Sequence, residues 1–218
     1  MITENLQYFW KELPPGVKLV AVSKFHPLEA IQEAYNAGQR VFGENRPQEL
    51  CQKAQTLPAD IQWHFLGHLQ TNKLKMVLPY AALVESVDTL HLLSEIDRWG
   101  RANDKVIPVL LELHIGAEKT KQGFTEEEVL ELLFRAEEFR FVRFCGLMGM
   151  ASHTDDAATV DADFARIADF FAYLRDLFPE LSDFSELSIG MSGDWRLAIP
   201  HGATIVRIGT AIFGERSL

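Results

Sequence analysis

Residues 17–27 read Val17-Lys18-Leu19-Val20-Ala21-Val22-Ser23-Lys24-Phe25-His26-Pro27. Gly16 precedes the apolar run Leu19-Val20-Ala21-Val22 and Pro27 follows it, which predicts a short strand buried on both faces. Lys24 stands where the apolar walls stop and a pocket can begin. By itself it reads as a lysine snorkelling to solvent. The far end of the chain argues otherwise, because Ser192-Gly193 and Arg207-Ile208-Gly209-Thr210 look like two halves of a phosphate cradle. A lysine amine facing such a cradle points to a phosphorylated aldehyde held as an imine.

The pattern extends outward from that strand. Before it, Leu6, Phe9, Trp10 and Leu13 have weak helical spacing, and Pro14-Pro15-Gly16 is a turn. After it, Pro27 opens a helix with Leu28, Ile31, Ala34 and Tyr35 on one face and Gly38 as its stop. Further strands are predicted at residues 40–42, 61–66, 82–85, 106–113, 142–148, 186–190 and 204–208. Helical sequence separates them. Pro47 opens a helix through Leu50, Ala54 and Leu57, Thr71 is placed to cap a short one, and Asp88 to cap another. Thr125 and Glu128 form a capping box. Phe164, Ile167, Phe171, Leu174 and Phe178 mark a long amphipathic helix ending at Pro179. Pro108 suits a strand only near its start. About eight strands alternating with helices predict an α/β fold, a (β/α)8 TIM barrel forming one domain over residues 1–218. An open doubly wound sheet is the competing layout, but no Gly-x-Gly-x-x-Gly follows the first strand.

A net charge of -10 offers no basic face for nucleic acid, and the pairs Lys119/Lys121 and Lys73/Lys75 are too small to form one. Cys51 and Cys145 read as two free buried thiols. The N-terminus lacks the basic and apolar regions of a signal peptide. The longest apolar stretch, near residues 76–84, is broken by Pro79 and is too short to span a bilayer. A cytoplasmic protein without membrane contact is expected.

In a barrel of this kind, side chains at the C-terminal strand ends meet at one mouth, and the last two loops commonly hold phosphate. Lys24, Asn45, Gly67, Met191-Ser192 and Gly209-Thr210 fall at such ends. Ser192 is placed to cap a short helix over residues 193–199, aiming N–H groups at an anion. The phosphorylated aldehyde that most often forms a lysine imine is pyridoxal 5'-phosphate (PLP). Partial desolvation would favour the neutral amine of Lys24. Arg207 would lie near the pyridine nitrogen, donating to it and discouraging its protonation; a salt bridge at the barrel rim is the alternative. The candidate cofactor site is therefore Lys24, Asn45, Met191, Ser192, Gly193, Arg207, Gly209 and Thr210, with no metal ligands and no catalytic residue. His64 reads as a satisfied histidine of the barrel interior, and His153 with Asp155 and Asp156 as a solvated helix entry. Met148, Met150 and Met191 are gap-fillers unless the cofactor packs on them.

Val20-Ala21-Val22-Ser23-Lys24, Phe42-Gly43-Glu44-Asn45 and Trp63-His64-Phe65-Leu66-Gly67-His68-Leu69-Gln70-x-Asn72-Lys73 resemble the pyridoxal phosphate homeostasis protein family. So do Gly146-Leu147-Met148, Ser188-Ile189-Gly190-Met191-Ser192 and the closing residues 206–214. The resemblance implies a PLP fold-type III barrel like the N-terminal domain of alanine racemase, with the cofactor on Lys24. It implies Ser192, Gly209 and Thr210 on the phosphate and Arg207 by the ring nitrogen. It also implies a protein that carries and buffers PLP as a Schiff base without established turnover. Apo PLP-dependent enzymes are the expected acceptors and a monomer the expected state. Phe25-His26 and His114-Ile115-Gly116 depart from the family pattern. An amino-acid racemase and a Schiff-base aldolase are the alternatives. The first is disfavoured because the sequence stops at Leu218, four residues after Gly214, with no room for the β-domain that supplies a racemase's opposing tyrosine.

Overall fold

The computed structural model describes residues 1–116 and 122–215; Lys119 and Lys121 lie outside them. α1 (Ile2–Glu12) leads into β1 (Lys18–Val22), and the chain then alternates through α2 (Leu28–Ala37), β2 (Val41–Glu44), α3 (Pro47–Thr56) and β3 (Gln62–Phe65). A 3-10 turn and α4 (Leu74–Val77) precede β4 (Ala81–Val87), α5 (Leu90–Asn103), β5 (Ile107–Glu112) and α6 (Glu126–Leu133). β6 (Val142–Met148), α7 (Ala157–Leu177), β7 (Glu186–Met191), α8 (Trp195–Ala198), β8 (Ile205–Ile208) and α9 (Thr210–Phe213) complete it. The strands are parallel and close in sequence order, β8 pairing back to β1 through Val20 opposite Arg207. The predicted barrel is the one found, and the open sheet is excluded by that closing pair.

Alternation along each strand explains why the sequence reads as continuous apolar runs. Leu19 and Ala21 of β1 face the helices, while Val20 and Val22 join Leu83, Leu110, Cys145, Met148 and Ile205 in a separate cluster inside the barrel. Gly43 of β2 lets the interior close, since a Cβ there would fall 2.6 Å from Leu66 Cδ1 and 2.9 Å from Val20 Cγ1.

The ends of several helices differ from their sequence reading. Thr71 makes no side-chain cap; the 3-10 turn starts after Gln70. Asp88 does not cap α5. Thr89 does, its Oγ1 accepting the Leu92 N–H at 3.2 Å, because the Asp88 side chain turns inward to His68. β4 runs to Val87, beyond the predicted stop. The capping box at Thr125 and Glu128 forms as expected, and Gly38 ends α2 in the left-handed conformation (φ 118°). Both cysteines are free, Cys145 buried but Cys51, within α3, only half-buried. Among the described residues, no helix is long and apolar enough to cross a membrane.

Candidate functional site

The strand ends open on one mouth, and the eight residues named from sequence meet there. Lys24, Asn45, Met191, Ser192, Gly193, Arg207, Gly209 and Thr210 all line one cavity of about 260 Å³, with Val22, Leu66, Met148 and Met150 as its apolar wall.

Lys24 sits in the turn 23–26, closed by the His26 N–H donating to the Ser23 carbonyl at 3.1 Å. Phe25, the third residue of the turn, has φ 66°. That left-handed conformation costs a residue bearing a Cβ about 1–2 kcal/mol. Contacts around Phe25 offset it: its N–H donates to Glu49 Oε2 at 2.9 Å, and the Arg46 guanidinium lies 4.3 Å over its ring. On the other side of Lys24, Ser23 Oγ donates to Glu44 Oε1 at 2.5 Å. Between the two carboxylates lies Lys53 of α3, only 5% exposed. Its ammonium donates to the Ser23 carbonyl at 2.9 Å, to Glu44 at 2.8 Å and to Glu49 at 3.0 Å. Burial pushes the Glu44 carboxyl up against the pull of Lys53 and Ser23. Burial also raises Glu49, but the Phe25 amide and Lys53 outweigh it and hold that carboxyl low.

The cradle on β7 and β8 is assembled differently from expectation. Ser192 caps no helix. α8 begins only at Trp195, and Asp194 Oδ1 instead accepts the Met191 N–H at 2.5 Å. Ser192 Oγ accepts the Gly209 N–H at 3.3 Å, joining the two loops. A Cβ on Gly209 would press on the Val22 carbonyl at 3.3 Å, whereas the space over Gly193 is open. Thr210 opens α9 at the exposed edge.

Arg207 is 5% exposed and links the cavity to a polar chain inside the barrel. Its Nη1 donates to the Ser188 carbonyl at 2.7 Å and Oγ at 2.6 Å, and Nη2 to the Gly149 carbonyl at 2.9 Å. Ser188 Oγ donates to Glu85 Oε2 at 2.5 Å, and Glu85 Oε1 meets His64 Nδ1 at 2.5 Å. Arg207 is 3.9 Å from Glu85, so its ion pair is internal and not at the rim. Burial pulls the guanidinium down against the field of Glu85, Asp194 and Glu112. Burial raises Glu85, yet His64, Arg207 and Ser188 together keep it low. His64 is the satisfied interior histidine its alternation with Trp63 and Phe65 predicted.

Across the mouth, polar groups are left short of partners. Asp88 Oδ2 meets His68 Nδ1 at 2.9 Å while its Oδ1 is buried and unpaired, and Glu112 Oε2 at the end of β5 is likewise unpaired. Burial, reinforced by Asp88, pushes Glu112 up to about 7. Glu112 lines a second cavity of about 660 Å³ that shares Met150, Met191 and Gly193 with the first.

Sequence reasoning missed Lys53, Glu44, Glu49, Glu85, Ser188 and Glu112. Glu44 and Ser188 stand inside the motifs that carry the family resemblance, without a role read from them, and the Glu49–Lys53 pair left the i, i+4 spacing of opposite charges on a helix. His153, Asp155 and Asp156 form no metal site: Asp156 caps α7 through the Ala158 N–H, and no metal-binding cluster occurs among the described residues.

A parallel barrel with a lysine after its first strand and paired loops after its last two defines the alanine racemase N-terminal-domain class, and the family model "Alanine racemase, N-terminal domain" matches residues 1–217. Alanine racemase of Clostridium difficile shares the fold at a TM-score of 0.81 and 14% identity, over 98% of this chain and 56% of that one. Similarity within the class is much higher to one group. A protein of Aquifex aeolicus named pyridoxal phosphate homeostasis protein is 40% identical over 91% of this chain and 87% of its own length. PipY of Synechococcus elongatus, solved with PLP bound, has a TM-score of 0.89 at 38% identity, covering 98% of this chain and 100% of that one. The chain belongs to the pyridoxal phosphate homeostasis protein family.

Proposed function

We propose that this protein binds PLP reversibly through the Lys24 amine and thereby buffers and carries it, without catalytic turnover. The observation that carries this reading is the convergence of all eight candidate residues on one cavity that contains both an amine and a two-loop polar cradle. The residues fit the group. Asn45 Oδ1 is buried without a partner beside Lys24, a vacancy for a ring substituent. The open space over Gly193 leaves room for an ester phosphate within reach of Ser192 Oγ and Thr210.

When bound, the group supplies an aldehyde that condenses with a primary amine, releasing one water, in a step that water reverses. Lys24 presents that amine from its strained turn. Ser192, Gly209 and Thr210 would hold the phosphate, and Met148 and Met191, on the cavity wall, would supply apolar contact. Arg207, fixed by Ser188 and Gly149, donates toward the ring nitrogen and keeps a proton off it. An unprotonated ring withdraws few electrons, which suits storage better than carbanion chemistry. The PLP-bound structure of PipY and the names of the relatives support the same reading. A monomer that hands PLP to apo enzymes is part of this proposal.

The test is the visible spectrum of purified protein loaded with PLP, taken before and after borohydride, followed by peptide mapping. The absorbance should bleach and the label should sit on Lys24; Lys24→Ala should fold and show neither. Label on another lysine, or an unchanged Lys24→Ala spectrum, overturns the assignment. Ser192→Ala with Thr210→Val should weaken PLP at least about ten-fold, the effect of losing one or two hydrogen bonds to a charged group. Unphosphorylated pyridoxal should be unaffected. Equal losses for both ligands would misplace the cradle, and racemisation of amino acids at enzyme-like rates would replace the carrier by a racemase.

A further inference from the structure

We infer that Lys53, a second and buried lysine, is the positioning residue for Lys24. The inference rests on the reading of Lys24 as the attachment point. Three observations carry it. First, the residues on either side of Lys24 are both tied to one ion: Lys53 reaches the Ser23 carbonyl directly, and Glu49 bridges it to the Phe25 N–H. Second, Phe25 is held at φ 66°, a conformation its side chain disfavours, so the turn needs external contacts to keep its shape. Third, the anchors come from outside the turn, Glu44 from the end of β2 and both Glu49 and Lys53 from α3, so α3 sets where the turn sits relative to the mouth.

Lys53 is not itself the attachment amine. The Lys53 ammonium has three N–H groups and three acceptors at 2.8–3.0 Å, with no hydrogen or lone pair left for an aldehyde. It is a fixed charge. Lys24, on the cavity wall, is the amine the fixed charge aims. Condensation needs the amine within near-attack distance of its target, and a misplacement of about 1 Å costs about 100-fold in rate.

The experiment compares the unaltered protein with Lys53→Met and with the double variant Lys53→Met/Glu44→Gln. The double variant removes both buried charges together and guards against a single variant that does not fold. Three quantities are measured on each: backbone hydrogen exchange of residues 22–27 without ligand, the rate of borohydride-fixed PLP attachment at Lys24, and the affinity for 4-deoxypyridoxine 5'-phosphate. That last probe fills the cavity but lacks the aldehyde. Faster exchange at Phe25 and attachment slowed about 10–100-fold, with deoxy-analogue affinity unchanged, is the expected result. A folded variant that attaches PLP at the unaltered rate overturns the proposal. So does a parallel loss of PLP and the deoxy analogue, which would make the ion a support of the fold alone. If the unaltered protein itself carries no label at Lys24, the functional reading fails and this inference with it, a result distinct from either of the others.

Discussion

The two sides of the barrel mouth are built on opposite terms. At the β1–β2 side a buried cation is at hand: the Lys53 ammonium has three acceptors, Glu49 Oε2 receives both Lys53 and the Phe25 amide, and Glu44 Oε1 receives both Lys53 and Ser23, while Glu44 Oε2 is buried without a partner. At the β4–β5 side Asp88 and Glu112 each keep a buried oxygen without a partner, and Glu112 holds its proton to about 7. Both sides are buried to a similar degree, so burial alone does not distinguish them. What differs is the availability of a cation. The side held by Lys53 carries Lys24, and Glu112 on the other side lines the wider cavity next to it.

The largest expected effect breaks the β1–β2 side. Lys53→Met strands the buried Glu44 without its cation, leaves Glu49 only the Arg46 guanidinium at 3.8 Å, and should cost about 3–5 kcal/mol in denaturant unfolding. The double variant with Glu44→Gln should recover a large part of that loss. If the single variant is as stable as the unaltered protein, the matching described above does not hold the corner together.

Next comes the β4–β5 side, read through pH. The folded Glu112 carboxyl keeps its proton up to about 7, whereas an unfolded one releases it near its ordinary 4.5. Between those values the folded state binds more protons than the unfolded state. Stability therefore falls as pH rises through this window, by at most about 3 kcal/mol, and stays low above about 7. Glu112→Gln should remove that fall, stabilising the protein at pH 8 with no matching gain near pH 4. An equal gain at both pH values would point to packing instead of ionisation.

The smallest effect sharpens the comparison at Asp88 and Thr89. Thr89→Ala removes the α5 cap and should cost about 1 kcal/mol. Asp88→Ala should leave the helix end intact and release His68 instead, visible as changed chemical shifts of the His68 ring protons by NMR. If Asp88→Ala frays α5, the sequence reading of Asp88 as the cap would be restored.

That misassigned cap illustrates how far the sequence carries. Asp88 and Thr89 are both good capping residues and adjacent, so local chemistry cannot choose between them. Burial of the Asp88 carboxylate against His68 does. The Ser192 reading failed for a related reason: Ser192 and Asp194 both fit a helix start, and the tie between the two loops claimed the Ser192 oxygen. Lys53 was invisible because the apolar face of α3 is read from Leu50, Ala54 and Leu57, and a lysine beside that face reads as solvent-facing. Arg207 was legible at the rim but not its interior partners, which come from strands 103 positions apart at Glu85 and Ser188.

The amino-acid sequence by itself determined the alternation of buried strands and helices, the lysine at the end of the first strand, and the glycine-bearing loops after the last two. Those features rest on period, turn chemistry and chain order, which are local. Tertiary structure alone decided which inward side chains meet, which charges are matched and which are stranded. Barrel closure sets those pairings, and hydrogen bonds between strands and helices far apart in the chain leave no periodic trace in the sequence that makes them.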